Sequence, residues 1–370
     1  HTEAAVNIPL GEKFATRASF TTSKRGGYLT GGGDNENSKS ARLRALYQPS
    51  NTLSFMITGE YGKNKGAGFG GGVNAFDTED GHYPDGTKVT NPWTARSDES
   101  LRTNDQTTKK VFLNMTLDIG SIGTLTVVPS YATRKGENAM NFMGAVQYGN
   151  QEVKEKSAEL RMTSAADFLF KWILGVNYYN SKDVNNMRSA EYIVNAGAIG
   201  DYSFRTNSQK AKAVFANITY PVMDTFRLTG GIRKSWDKMI TDNFERKGPQ
   251  VFVQPGVEQD SAGRPDYKVG FEYDLGKNSM LYGDWSTSYR VQGMTARTDP
   301  QELQAYSLGA KNRFFGNKLQ LNASTYYYIY KNYAAHWMEM VWQDDNGDQQ
   351  MPEQMGPPRP GEESEIKNDS

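Results

Sequence analysis

The chain has 370 residues, 42 basic against 42 acidic side chains, no cysteine, 12% aromatic residues and a mean hydropathy of −0.70. Balanced charge supplies no basic stripe, so nucleic acid is not an expected partner, and the lack of cysteine removes disulfide frameworks, thiolate metal sites and thiol nucleophiles together. No run of about 18 apolar residues offers a transmembrane helix, which says nothing of a β-barrel, since only every second residue of its strands meets lipid.

Alternation starts at once and comes in pairs. Residues 4–10 and 14–22 form the first predicted strand pair, joined by "GEK"; 40–48 and 52–61 follow, joined by "PSN". Next come 108–119 with 124–134 across "GSIG", 153–164 with 168–180 across "AD", and 210–222 with 225–236 across "MD". The last pairs are 267–275 with 279–289 across "GKN", and 303–313 with 318–330 across "FFGN". About fourteen strands result, joined within pairs by the short Gly, Pro, Asn and Asp turns that hairpins use.

Between the pairs the connections are long, at about 23–39, 62–107, 135–152, 181–209, 237–266 and 290–302, with a further long segment over 332–370. Structureless loops of such length count against a compact soluble domain. An outer-membrane barrel has tight periplasmic turns on one rim, long extracellular loops on the other, and strands of about 9 to 11 residues in the hydrocarbon. The faces agree. Val111, Leu113, Met115, Leu117 and Ile119 oppose Lys110, Phe112, Asn114, Thr116 and Asp118. Phe168, Phe170, Trp172, Leu174, Val176 and Tyr178 oppose Lys171, Gly175 and Asn177. Aromatics gather at strand ends, as in "YYNS", "DWSTSY" and "YYYIYKNY", which suits interfacial girdles. A soluble sandwich or propeller also alternates, but a propeller needs a repeat of about 40 to 50 residues, and none is visible. The expected fold is all-β: an antiparallel, up-and-down transmembrane barrel.

Several stretches, in order, resemble the barrel domain of TonB-dependent outer-membrane receptors. "VNIPLGEKFATRASF" with "RGGY" is similar to that family's early hairpin, and "SARLRALYQPSNTLSFMITGEYG" to the next one. "SAELRMTS" with "FKWILGVNYYNS" resembles a mid-barrel pair. "MLYGDWSTSYRVQGM" and "ELQAYSLGAKNRFFGNKLQLNASTYYYIYKN" resemble the late-barrel pattern. The resemblance implies about fourteen strands of a twenty-two-stranded barrel, and hence an internal fragment spanning 1–370, without its plug domain and last strands. It further implies residence in the outer membrane of a Gram-negative bacterium, with outer-membrane lipid, the missing plug, and the TonB complex reached through the missing N-terminal part as partners. The implied function is energised import of a scarce solute, foremost a ferric siderophore or other iron complex. A passive outer-membrane channel or an adhesin is the alternative.

The polar-face charges Arg17, Arg42, Arg44, Glu159, Arg161, Arg227, Arg233, Glu272 and Asp274 are expected to line the lumen, where a plug would meet them. Substrate contacts are expected among loop aromatics, which offer large contact area at low entropic cost: Tyr28, Phe69, Phe76, Tyr83, Trp93, Phe142, Tyr148, Tyr192 and Phe204, with His82 beside Tyr83.

Other motifs weigh less. "GAGFGG" at 66–71 matches a dinucleotide fingerprint but lacks the helix that receives the pyrophosphate. "DDNGDQQ" at 344–350 has calcium-type oxygens without the closing glutamate. The sequons at Asn114, Asn217 and Asn322 fall on polar strand faces, as by-products of alternation. His1, His82 and His336 are scattered and no triad spacing exists, so neither catalysis, a cofactor nor a resident metal site is expected.

Overall fold

The computed structural model describes residues 1–28, 34–67, 88, 103–142, 145–189, 202–247, 250–291, 299–333, 339–343, 349–350 and 363–367. Fourteen strands pair in plain chain order, each antiparallel to the next. They are β1 (Thr2–Pro9), β2 (Phe14–Arg25), β3 (Glu36–Tyr47), β4 (Leu53–Lys65), β5 (Thr103–Asp118), β6 (Gly123–Phe142) and β7 (Ala145–Ser164). There follow β8 (Lys171–Ser189), β9 (Tyr202–Met223), β10 (Phe226–Lys247), β11 (Gln250–Gly276), β12 (Ser279–Arg290), β13 (Gln301–Phe314) and β14 (Leu319–Lys331). A separate three-stranded sheet joins β15 (Glu339–Gln343) to β16 (Gln349–Gln350) and β17 (Glu363–Lys367).

The connections β1–β2, β3–β4, β5–β6, β7–β8, β9–β10, β11–β12 and β13–β14 are short and fall on one rim; at the other rim only residues 143–144 separate β6 from β7, and 248–249 separate β10 from β11. Glycines accept backbone angles on the first rim that other residues resist: Gly120 has φ 62°, Gly123 φ 140° and Gly316 φ 64°. Gln48 N donates to Lys13 O at 2.8 Å and Asp118 N to Thr52 O at 2.7 Å, so neighbouring turns are stitched to one another.

Register shows why the wall needs no second layer. Ile8, Thr16, Ala45, Ile57 and Leu113 face one another across five strands, while Asn7, Arg17, Arg44, Thr58 and Phe112 form the row beside them on the opposite face. Among the described apolar residues only Ala139, Val153 and Ala213 are buried, whereas Leu43 (58% exposed), Ile57 (50%) and Val269 (58%) lie open on the first face. Apolar exposure on this scale marks a surface made for an apolar medium, and the band is edged by aromatics. Tyr47 stacks with Phe55 at 6.4 Å and Phe226 lies 6.2 Å from Tyr273 near the tight-turn rim. Tyr61, Tyr131, Tyr178 and Trp236 face the same way toward the other rim. Two girdles with an aliphatic band between them are the profile of a membrane barrel wall.

Several boundaries differ from the sequence expectation. Residues 135–142 pair with 145–152, and 237–247 with 250–266, so strand runs on through much of two stretches expected as loops. Phe168 and Phe170 precede β8 instead of belonging to it; they pack on each other at 5.2 Å, and Phe168 meets Trp172 at 6.1 Å. Lys171 closes this turn by donating from Nζ to Ala165 O at 3.3 Å, which moves the strand start three residues on. Ile119 likewise leaves β5 for a single 3₁₀ turn, Gly120–Ile122.

Candidate functional site

The polar face opposite the apolar band carries nearly all of the ordered side-chain hydrogen bonding in the spanning part of the wall. Alternation puts Arg227 of β10 in register with Glu272 of β11, two positions from Asp274. The guanidinium spans both: Nε donates to Glu272 Oε2 at 2.8 Å, Nη1 to Asp274 Oδ2 at 2.6 Å and Nη2 to Asp274 Oδ1 at 2.9 Å. Met280 Sδ sits 3.7 Å from Nη2. Planar two-point gripping of a carboxylate is what guanidinium does and ammonium does not.

Higher on the same face, Arg233 pairs in register with Phe215 and Asp266. It donates from Nη2 to Asn177 Oδ1 at 3.2 Å and from Nε to Ser235 Oγ at 3.0 Å, with its guanidinium carbon 5.9 Å from the Phe215 ring centre. A cavity of about 390 Å³ joins Arg233, Asp266, Lys268 and Asn177 to Glu159 of β7. Arg161 donates from Nη1 to Glu159 Oε1 at 3.2 Å.

At the β1 end, Arg17 donates to Asn7 Oδ1 at 2.8 Å and Arg42 pairs with Glu60 at 2.8 Å. Arg44 stands opposite both Arg17 and Thr58. Arg44 Nε and Thr58 Oγ1 are buried with no hydrogen-bond partner among the described residues, and Thr58 is wholly buried. A buried polar atom left unpaired costs free energy, so this corner of the wall is the least satisfied part of the face.

The polar face also holds aromatics that the loop-centred sequence reading passed over. The Tyr282 ring covers Gly309 so closely that a Cβ there would come 2.5 Å from its ring, and Lys311 Nζ lies 5.2 Å from the ring centre. On β14, Tyr326 stacks on Tyr328 at 4.9 Å, Tyr328 meets Tyr330 edge-on at 6.4 Å, and Tyr330 meets Tyr333 at 6.0 Å. Tyr179 donates to Glu155 Oε1 at 2.6 Å and Ser307 to Asp284 Oδ1 at 2.6 Å. The available signal was position: each sits on the polar phase of a strand whose other phase is apolar.

The expected substrate aromatics are dispersed. Tyr28 is 63% exposed with the Arg25 guanidinium carbon 4.0 Å from its ring centre. Tyr148 of β7 carries Arg188 at 5.3 Å, Phe142 closes β6, and Phe204 of β9 stands opposite Asn186 and Phe244. Register puts Tyr148 and Phe204 on the phase of the apolar band, so they do not join the Arg233 cavity. Phe69, Phe76, His82, Tyr83, Trp93 and Tyr192 lie outside the described residues, as do His336 and residues 344–348. No cluster of three or more His, Cys, Asp or Glu side chains suited to a metal occurs among the described residues.

Residues 47–335 match the family model described as TonB dependent receptor-like, beta-barrel. The chain belongs to that family. Solved structures of such receptors share the fold at low identity. The ferric yersiniabactin uptake receptor FyuA from Yersinia pestis is 12% identical with a TM-score of 0.73, over 92% of this chain and 55% of that one. The siderophore receptor PiuA from Acinetobacter baumannii is 13% identical with a TM-score of 0.72, over 94% and 56%. The copper transporter OprC is 12% identical with a TM-score of 0.65, over 96% and 52%. No curated protein matches the chain in sequence. The chain thus spans about half the length of the receptors it resembles, and its fourteen strands correspond to part of the 22-stranded barrel of full proteins.

Above the band, on β4–β5 and β6–β7, two charge clusters titrate away from their ordinary ranges. Asp105 hydrogen-bonds Lys65 and holds it above the usual lysine range, while Lys154 and Lys135 hold Glu152 below the usual carboxylate range.

Proposed function

We propose that this chain is the wall of an energy-coupled outer-membrane receptor that imports a scarce solute, foremost a ferric siderophore or another metal complex, driven through TonB. Membership of the receptor family supports active transport. Likeness to receptors described as taking up ferric yersiniabactin and other siderophores, and to a copper transporter, favours a metal complex as the solute. The apolar band supports a wall seated in the outer membrane, with tight turns toward the periplasm and the opposite connections outside.

The observation that carries the reading is the polar face itself. It is ordered by Arg227 and Arg233, yet leaves the guanidinium groups of Arg42 (49% exposed) and Arg161 (47%) open to the lumen. A plug domain seated against the lumen wall is the partner such a charged, half-exposed face suits. The loop aromatics, Trp93, Tyr83 and His82 among them, take the solute first.

The test is uptake of iron-55 loaded siderophores by a strain whose own receptors are deleted and which carries the complete gene containing this chain. Uptake that requires TonB supports the reading, and Trp93→Ala with Tyr83→Ala lowers affinity. Uptake that persists without TonB and rises linearly with concentration identifies a passive channel instead.

A further inference from the structure

Arg233 of β10 and Asp266 of β11 carry opposite charges in register on the polar face, yet their side chains border one cavity of about 390 Å³ without closing on each other. The guanidinium is turned along the wall instead. Nη2 donates to Asn177 Oδ1 at 3.2 Å and Nε to Ser235 Oγ at 3.0 Å, and the Phe215 ring centre lies 5.9 Å from the guanidinium carbon. Held in this way, Arg233 keeps Nη1 without a hydrogen-bond partner among the described residues.

The next row toward the tight turns is Asn217, Gly231, Lys268 and Ser286. Gly231 puts no side chain into the cavity, and Asn217 Oδ1 lies over the place a Cβ would take there. Lys268 and Asp266 make no ion pair among the described residues, and Glu159 at the far side meets Arg161. On the other face Ile232 and Tyr267 stand in register, 49% and 44% exposed in the apolar band, so the cavity opens to the lumen at a height within the membrane.

The cavity therefore has two unlike ends. Arg233 and Lys268 are diagonal neighbours across β10 and β11, a relation that sets Cβ atoms about 7 to 8 Å apart on one face, and both offer charged donors to a carboxylate. Asp266 and Asn217 Oδ1 offer acceptors to a cation beside them. A simple anion would face the Asp266 carboxylate, and a simple cation would face Arg233 and Lys268, so a group bearing both charges on adjacent atoms is the complement. The volume lies at the small end of ligand pockets and suits a head group.

We propose that this cavity is a wall site for the α-amino carboxylate end of an imported solute, with its carboxylate between Arg233 and Lys268 and its ammonium on Asp266 and Asn217. The site deepens the import reading above and rests on the polar face being the lumen wall, which its test checks separately.

The complete receptor in bilayer discs is titrated with L-alanine, and with lactate, which keeps the carboxylate and lacks the ammonium; binding is read by saturation-transfer NMR. The wild type binds L-alanine more tightly than lactate. Lys268→Gln weakens both, and Asp266→Asn weakens L-alanine alone, each by about ten-fold, the worth of one charge-assisted hydrogen bond. Unchanged lactate binding in Asp266→Asn also shows that this variant is folded. Absence of L-alanine binding to the wild type overturns the proposal, as does lactate binding equal to it or L-alanine binding that survives both substitutions. A Ser286→Cys variant reacts with a water-soluble maleimide; reaction with a lipid-soluble maleimide alone overturns the lumen reading instead.

Discussion

Arg227 holds Asp274 through two parallel hydrogen bonds, Nη1 to Oδ2 at 2.6 Å and Nη2 to Oδ1 at 2.9 Å, while its Nε takes Glu272. These three side chains sit on the polar face where β10 and β11 leave the tight-turn rim, and they tie one hairpin to the next. Arg161 and Glu159 meet through one bond within a single strand and tie nothing together. Arg227→Met therefore lowers the thermal midpoint of the detergent-solubilised protein more than Arg161→Met does. A double-mutant cycle with Asp274→Asn shows the larger coupling at Arg227, and Arg227→Lys, which keeps charge but not the fork, recovers only part of it. Equal midpoints for the two arginine variants would count against a tie between hairpins.

Gly123 opens β6 with φ 140°, and a Cβ built on it would lie 1.9 Å from the carbonyl oxygen of Thr163. Backbone cannot yield as a flexible side chain does, so Gly123→Ala destabilises the β5–β6 turn by about 1–3 kcal/mol. Gly62 has open space where its Cβ would stand. Gly62→Ala is thus neutral or stabilising by up to about 1 kcal/mol, because alanine restricts the unfolded chain. Urea unfolding of the two variants from the same bilayer, compared by midpoint, checks the contrast.

The hairpin of β6 and β7 beyond the membrane is closed by Glu152 between Lys154 and Lys135. Its carboxylate titrates below the ordinary range, so its stabilising contribution is complete above the unfolded value of about 4.3 and fades as pH falls through the folded value. Lys65 beside Asp105 titrates above its ordinary range, so its contribution is complete below about 10.4 and fades as pH rises through the folded value. Between these limits amide exchange of the two hairpins stays flat with pH once intrinsic rates are removed. Both sites are exposed and screened, so the acid effect is local: Glu152→Gln abolishes it in β6–β7 and leaves β4–β5 unchanged. Persistence of the acid effect in β6–β7 of the Glu152→Gln variant would contradict the assignment.

Lys311 and Tyr282 depend on Gly309 for their closeness, since the ring occupies the place of a side chain there. Gly309→Val expels the ring from its seat and costs about 1–3 kcal/mol, whereas Tyr282→Phe keeps the cover and costs less. Tyrosine fluorescence quenching by acrylamide added to the lumen side rises in the first variant only.

Much of this wall was readable because lipid imposes a period of two. Leu53, Phe55 and Ile57 declare their face against Ser54, Met56 and Thr58, and "PSN" marks the turn below them. The pattern fails where the chain leaves the membrane. Between 135 and 138 both strand faces are polar, Lys135 and Glu137 on one and Gly136 and Asn138 on the other, so the alternation lapses there although these residues pair as strands. Phe168 and Phe170 misled in the opposite sense, because an aromatic turn folded onto Trp172 imitates the apolar phase of a strand. The lumen arginines were legible as polar-phase residues, yet their partners were not: Asp266 and Asn177 reach Arg233 from strands far away in sequence, which only register brings together. Substrate aromatics carry no periodic signature at all.

The absence of cysteine makes the central claim open to site-directed spin labelling. Single cysteines at positions 53 to 61 of β4, labelled and reconstituted in bilayers, report access to oxygen, which concentrates in lipid, and to a nickel chelate, which stays in water. The account predicts a period of two, with oxygen access highest at Leu53, Phe55, Ile57 and Gly59 and nickel access highest at Ser54, Met56 and Glu60. The opposite phase, or no alternation along β4, would contradict a lipid-facing barrel wall.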